Sequence, residues 1–373
     1  MFVSKIVIRL FTGKSASILI ICAFIGLLLG CSAEGTINGP TIDASKIAIP
    51  EDPALEWVAP EDVGWSSAEL QTAQAFAQQS GCTAAMALYD GKIFFARGNL
   101  HKNYQVHSIR MPLLSALYGI HLARDQLVLS DTLADLHLDD LAPGLIESEK
   151  QAGVEHLLMS RSGVYHASAA EDQTMIDTRP PRGSHTPGTF FYYNNWGFNA
   201  LGTIFEQETG EDIFIAFKKE IADVLEMVDF SIDFCFYQYE WDKSLHPAYQ
   251  FKMSVRDLAK FGVLYQQNGR WKDHQVVGSD WIDDSTMAYS TMPGTAGLGY
   301  GYLWKIFPAN SDIGQIIGDP GYYHSGADGY ALVVIPDLKL VIVVRYDSEQ
   351  NWENTDSDAF ELTTLIVDAR IVD

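Results

Sequence analysis

Two β-rich, apolar runs at 83–88 and 93–97 are separated by Tyr89-Asp90-Gly91-Lys92, and this junction narrows the available folds more than any other feature of the chain. Asp-Gly tolerates the positive φ angles of a tight turn, so the runs read as adjacent antiparallel strands. Apolar, β-branched runs return only near the other end, at 300–306, 329–334 and 340–345, the last two joined by Pro336-Asp337. Between them, from about 127 to 285, the sequence is helical and loop-rich. Ser66-Ser67-Ala68-Glu69 has capping-box spacing and opens an apolar-periodic helix to about Gln79. A short extended piece at 104–107 precedes a helical pattern over 109–125, and a helix over about 357–371 closes the chain. Strands from both ends around a helical insert predict an α+β fold: a mainly antiparallel sheet flanked by terminal helices, plus a helical lobe. A ligand would sit in the cleft between lobe and sheet.

The first thirty residues are expected to be a targeting segment rather than part of that fold. Lys5, Arg9 and Lys14 form a positive region, followed by an apolar stretch from about Ile18 to Leu29. That stretch falls short of the roughly 20 apolar residues of a membrane-spanning helix. Residues 31–56 lack an apolar period and read as a flexible tether, leaving 57–373 as the folded domain. Its length suits one large domain or two closely packed lobes.

The chain carries 48 Asp and Glu against 25 Lys and Arg, a net charge of −23. The targeting segment holds basic residues and no acidic ones, so its removal deepens the charge. Such a surface repels nucleic acid and anionic lipid, which argues against DNA or RNA as a partner. There is no CxxC and no HExxH, and the histidines are scattered, so a zinc site has no support. Beyond the targeting segment and Cys31, only Cys82 and Cys235 remain, too few to imply a bridge.

Three short motifs are candidates for chemistry. Ser108 lies where an extended segment meets a helix, so its Oγ is near helix N–H groups and a dipole that favours developing negative charge. Residues 187–197 hold two tyrosine-x-asparagine registers, Tyr192/Asn194 and Tyr193/Asn195, either of which brings a phenol and an amide into one cleft. His324-Ser325-Gly326 precedes the run at 329–334 and would let a substrate carbonyl or carboxylate lie along a strand edge. Tyr165, Tyr192, Trp196, Tyr322, Tyr323 and Tyr330 flank these motifs and suggest aromatic cleft walls, or simply lobe packing.

In their order and spacing these motifs resemble the serine β-lactamase and penicillin-binding-protein superfamily. The nearest branch is that of class C β-lactamases, D,D-peptidases and family VIII esterases, with S-x-x-K, Y-x-N and K-T-G or H-x-G in sequence. Connecting phrases agree: residues 156–164 resemble "LLTHTSGL", 187–202 resemble "PGTxWxYSNxGYxLLG", and 253–262 resemble the "S-x-x-D-L-A-R-F-G" helix. The second phrase selects the Tyr193/Asn195 register. The resemblance runs from about Val63 to Val367.

It implies a serine hydrolase that needs no metal or organic cofactor. Ser108 would attack an ester or amide carbonyl, including peptide-like amides, and Tyr193 would move the proton. Asn195 would position the substrate, His324 and Gly326 would line the strand edge, and backbone N–H groups of Ser108 and of a residue near Ala327 or Asp328 would hold the oxyanion. Leu28-Leu29-Gly30-Cys31 likewise resembles a bacterial lipobox, implying lipidation at Cys31 and a cell-envelope location, facing the periplasm or in the outer membrane. The only membrane contact would then be through the lipid.

One position departs from the pattern. The motif reads Ser108-Ile109-Arg110-Met111, so the lysine of S-x-x-K is Met111. A residue three places on returns to the serine's face of the helix, where the lysine would take or relay its proton. A thioether can do neither. Arg110 points elsewhere and stays protonated, so it could supply positive potential but not act as a base. Impaired or atypical hydrolysis is expected, with a catalytically inactive binding protein as the alternative. H-x-G in place of K-T-G tilts the substrate toward neutral esters or amides, with a protonated His324 able to restore part of the charge.

Overall fold

The computed structural model describes Asp52, residues 54–346 and residues 356–371; Cys31 and the targeting segment lie outside the described residues. The chain enters through α1 (Leu70–Gln79) and the hairpin β1 (Cys82–Tyr89) and β2 (Lys92–Gly98), then reaches α2 (Arg110–Leu122). Two longer helices follow, α3 (Asn195–Thr209) and α4 (Val255–Gln266). Strands resume with β3 (Ser290–Thr291), β4 (Gly299–Tyr300), β5 (Lys305–Phe307), β6 (Gly321–Ser325), β7 (Ala331–Ile335) and β8 (Leu340–Tyr346), and α5 (Asp356–Asp368) closes the order.

These eight strands make one sheet in the order β2-β1-β8-β7-β6-β5-β4-β3, with every neighbouring pair antiparallel. The end-to-end assembly read from the sequence is therefore the architecture: β1 from the N-terminal part pairs with β8 from the C-terminal part. Both faces are covered, which is why the central strands read as unbroken apolar runs. Met86, Leu88, Leu332, Val334, Val341 and Val343 face the large core shared with the helical lobe. Their alternates Ala85, Ala87, Val333, Ile335 and Ile342 face a second core beneath α1 and α5.

Three local differences have physical reasons. α1 starts at Leu70 rather than Ser66, although Ser66 Oγ accepts the Glu69 N–H at 3.2 Å, half of the anticipated capping box. The run at 300–306 is two strands, because Leu303 at φ +67° and the Gly301 N–H bond to the Trp304 carbonyl fold it into a turn. His324 and Ser325 do precede the strand β7, as expected, and they also end a strand of their own, β6, paired with β7 through His324↔Leu332. Within the segment expected as lobe, α4 lies against the sheet instead. A Cβ at its Gly262 would come 2.5 Å from Val341 Cγ1, so glycine permits the close approach.

Candidate active site

The site is assembled where β6 ends against the turn that starts α2. Tyr104 and Gln105 pair with Lys252 and Met253, and the Val106 N–H bonds to the Phe251 carbonyl at 3.0 Å, fixing the incoming chain. His107 then takes φ +47°, a left-handed conformation that few non-glycine residues adopt. It turns the chain into the short 3-10 turn His107–Ile109, so the half-buried Ser108 stands at the head of α2. From the other side, a Cβ at Gly326 would lie 2.6 Å from the Val106 carbonyl oxygen and 3.1 Å from His107 Cβ. Only a residue without a side chain lets β6 close on the serine turn. Ala327 follows, exposed, at the start of another 3-10 turn.

Tyr193 reaches this point from the loop before α3, beside the Ser108 side chain, which favours the ionised form of its phenol. Its hydroxyl lies 4.0 Å from Met111 Sδ, as does that of Tyr300. Met111 is fully buried and thus fills the space between two phenols that a side chain on that face of α2 must occupy. Burial pushes the Tyr193 phenol well above its usual value; Ser108 and the Arg110 charge pull it back, while Asp356 and Asp172 add to the rise. Tyr193 is accordingly a neutral phenol across the physiological range.

His324 is fully buried, 6.4 Å from Tyr193 between ring centres. Its Nδ1 lies 3.0 Å from the Ser325 carbonyl oxygen, which can only accept, so Nδ1 carries the proton and Nε2 the lone pair. That Nε2 is buried without a hydrogen-bond partner. Burial drives the His324 pKa well below its usual value, and Lys305 and Arg110 push the same way. The expectation that a protonated histidine restores positive charge is corrected: this imidazole is neutral.

Asn195 makes its hydrogen bonds within the protein. Asn194, not Asn195, caps α3 by accepting the Trp196 N–H at 2.9 Å. The Asn195 amide donates to the Ala170 carbonyl, and its oxygen lies 3.5 Å from Arg110 Nη2. Of the aromatics read as cleft walls or lobe packing, several pack the core: the hydroxyls of Tyr192, Tyr322 and Tyr330 bond to the carbonyls of Met175, Tyr265 and Met253, and Trp196 Nε1 donates to Asp140.

Lys305, at the start of β5, escaped the motif reading. Its Nζ donates to Ser325 Oγ at 2.7 Å, pairs with Asp356 at 3.4 Å and lies 5.9 Å from the Tyr193 ring centre. No sequence spacing marks it, because the register Lys305↔Tyr323 that brings it here exists only in the sheet. The β5 ladder on β6 ends at this pair, so β6 runs on from Tyr323 toward Ser108 beyond its neighbour.

Among the described residues, His121, Glu211 and Glu220 could together offer ligand atoms to a metal. Arg124 already takes both oxygens of Glu220, at 3.0 and 2.7 Å, and Lys219 takes Glu211 at 3.2 Å. The group is a charge-balanced ion-pair cluster at the far end of α2 from Ser108. Cys82 and Cys235 are both free thiols.

Comparison with known proteins agrees with this fold. The Beta-lactamase family model matches residues 71–364. D-alanine carboxypeptidase AmpC from Burkholderia cenocepacia superposes with a TM-score of 0.56 at 14% identity, covering 82% of this chain and 98% of that one. EstCE1, a hydrolase with promiscuous acyltransferase activity, gives 0.59 at 13% identity, covering 84% and 99%. The octameric penicillin-binding protein homologue from Pyrococcus abyssi gives 0.55 at 20% identity, covering 74% and 72%. A search of curated protein sequences gave no match. At these identities the superpositions establish the fold, and the family match, spanning most of the chain, establishes that this protein belongs to the Beta-lactamase family.

Proposed function

We propose that the protein is a serine hydrolase of weak or atypical activity that acts on a neutral ester or amide through an acyl-Ser108 intermediate. The observation that carries this reading is the placing of Ser108 in the turn that starts α2, on which Gly326 lets β6 close. In the reaction, Ser108 Oγ forms a bond to the substrate carbonyl carbon. Its proton passes to the minor phenolate form of Tyr193 and from there to the departing alcohol or amine. Water then cleaves the acyl-serine ester. Backbone N–H groups of Ser108 and of the turn beginning at Ala327 are the proposed oxyanion donors. A well-tuned general base contributes about 10²–10⁴-fold, and a phenol held neutral by burial forgoes most of that.

His324 and Lys305 bear on substrate choice. A neutral imidazole, and a lysine already paired with Asp356, leave little free charge at the strand edge for a substrate carboxylate. That favours neutral acyl groups. The second reading, a binding protein without turnover, draws on one observation: Met111 seals the position between Tyr193 and Tyr300 where a base would stand.

The two readings separate by labelling the domain with a fluorophosphonate and a fluorescent penicillin. Mass spectrometry of the labelled protein is expected to find an adduct on Ser108 that is absent from Ser108→Ala. No adduct from either probe, together with no hydrolysis of short-chain nitrophenyl esters, would leave the binding reading standing.

A further inference from the structure

The histidine at the end of α2 holds a lone pair that no hydrogen bond uses. His121 is fully buried, and Phe205 packs edge-on against its ring at 4.9 Å between ring centres. Its Nδ1 lies 2.9 Å from Gln126 Oε1, an amide oxygen that can only accept, so Nδ1 carries the proton and Nε2 the lone pair. That Nε2 is buried and has no hydrogen-bond partner among the described residues. One ring nitrogen of His121 and one carboxylate oxygen each from Glu211 and Glu220 lie within 4.8 Å of one another. With Nδ1 engaged by Gln126, Nε2 is the ligand atom left to this group. The ion pairs around the glutamates balance their charge, but they leave the imidazole lone pair buried and unmatched, which costs stability.

We propose that His121, Glu211 and Glu220 form a binding site for a zinc ion, held through His121 Nε2 and one oxygen of each glutamate. One imidazole, two carboxylates and a water make a tetrahedral set suited to zinc, whereas calcium and magnesium favour larger, all-oxygen shells. Gln126 supplies the partner that metal-ligating histidines usually have, an oxygen that accepts from the other ring nitrogen and fixes tautomer and ring direction. Glu211 lies between the end of α3 and the short helix Ile213–Phe217, and Glu220 sits in the π-helical turn Lys218–Ala222 that follows. Arg124 takes both oxygens of Glu220, but a carboxylate has about four lone-pair sites, so Arg124 orients the group and leaves a site for the metal. Lys219 stands in for the ion. Its ammonium lies 3.2 Å from Glu211 and 3.0 Å from Glu220, where a shared cation belongs, on a side chain 58% exposed that can swing into solvent. With Lys219 displaced, Glu211, Glu220 and Arg124 together carry a net negative charge that favours the incoming ion. Ligand atoms of a tetrahedral zinc stand about 3.4 Å apart, so the group must draw in by roughly an ångström, a shift open to glutamate side chains. The site lies at the other end of α2 from Ser108, so the ion would tie that helix to residues 211–220 and take no part in acyl transfer. No short motif marks it, because its ligands come from positions far apart in the chain.

The test is calorimetric titration of the chelator-treated protein with zinc chloride, with the metal content of the dialysed protein measured by atomic emission. The parent protein is expected to take up a single zinc ion per chain and to melt at a higher temperature with it. Glu211→Gln keeps the size of the side chain but removes a charged ligand, and should weaken the affinity by about tenfold or more, the loss that even outer-shell changes bring. Lys219→Ala removes the competing ammonium and should tighten binding, a change that uptake by other surface carboxylates would not show. His121→Gln should abolish the site; if circular dichroism finds that variant unfolded, Glu211→Gln and Lys219→Ala decide in its place. Cobalt in place of zinc should give the visible absorption of a four-coordinate ion, lost in Glu211→Gln. No zinc uptake by the parent protein, or uptake that Glu211→Gln leaves unchanged, overturns the proposal.

Discussion

At the scale of single residues, Met111 decides how the site can work. It stands one helical turn from Ser108, buried between the hydroxyls of Tyr193 and Tyr300, each 4.0 Å from its sulfur. A lysine there would place an ammonium within reach of both phenols and beside the serine. Met111→Lys is therefore expected to raise Ser108 acylation by about 10²–10⁴-fold, measured as the rate of fluorophosphonate labelling. The ammonium must be buried at a fully enclosed position, so the same variant should lose about 1–3 kcal/mol of stability in urea unfolding. An unchanged labelling rate in a folded Met111→Lys protein would mean that the missing lysine is not the defect. Met111 could be singled out from the sequence because its spacing from Ser108 is local. The neutrality of His324 could not, because it comes from burial and from the charges of Lys305 and Arg110, one strand and one helix away.

At the scale of elements, one contact shapes the site and a second ties together a segment away from it. The end of β6 meets the Ser108 turn at Gly326, where a Cβ would strike the Val106 carbonyl at 2.6 Å, a backbone atom that cannot swing aside. Gly326→Ala should cost about 1–3 kcal/mol from overpacking and sharply reduce Ser108 labelling, since β6 must withdraw from the serine. Glycine at this place was visible in the motif; the reason for it was not, because Val106 and Gly326 are joined only by the fold. The second contact is Glu149, 1% exposed, which accepts from the Ile146 N–H at 2.9 Å and from Arg182 at 2.7 and 3.0 Å, with His166 at 3.8 Å. Burial would raise its pKa, but the nearby His166, the Arg182 bonds and the Ile146 N–H outweigh it and hold the carboxyl at about 2, against an ordinary 4.5. A lowered carboxylate pKa stabilises the fold fully above the unfolded value and loses that stability as acid protonates the group. The Glu149 contribution should therefore fade from about pH 4.5 toward pH 2. Glu149→Gln should lower the melting temperature at neutral pH and flatten its fall across that interval.

At the scale of the whole molecule, the buried histidines should make mild acid weaken the fold, while Asp257, raised by burial to about 6, offsets part of the loss. His101, His121, His156, His246 and His324 all have pKa values lowered from 6.5, chiefly by burial. Each protonates at a lower pH in the fold than in the unfolded chain, so its contribution to stability is complete above pH 6.5 and declines below it. Melting temperatures measured from pH 7.5 downward should fall from about that point, ahead of the Glu149 step. The lipobox resemblance makes a separate prediction: cells grown with a clickable palmitate should yield a labelled protein, and Cys31→Ala should abolish the label. The arrangement of the molecule was largely readable from the chain. Asp-Gly turn chemistry specifies the β1–β2 hairpin, and unbroken apolar runs specify strands covered on both faces, because both signals are short-range and set by side-chain type. The order Ser108, Tyr193, His324 and the departure at Met111 were legible for the same reason. What depended on charge and burial was decided only by the tertiary structure. Asn195 is consumed by Ala170 and Arg110, Lys305 reaches the site through a sheet register, and Arg110 is left without a counter-charge. Such states arise from groups distant in sequence converging in one low-dielectric volume, and no local pattern encodes them.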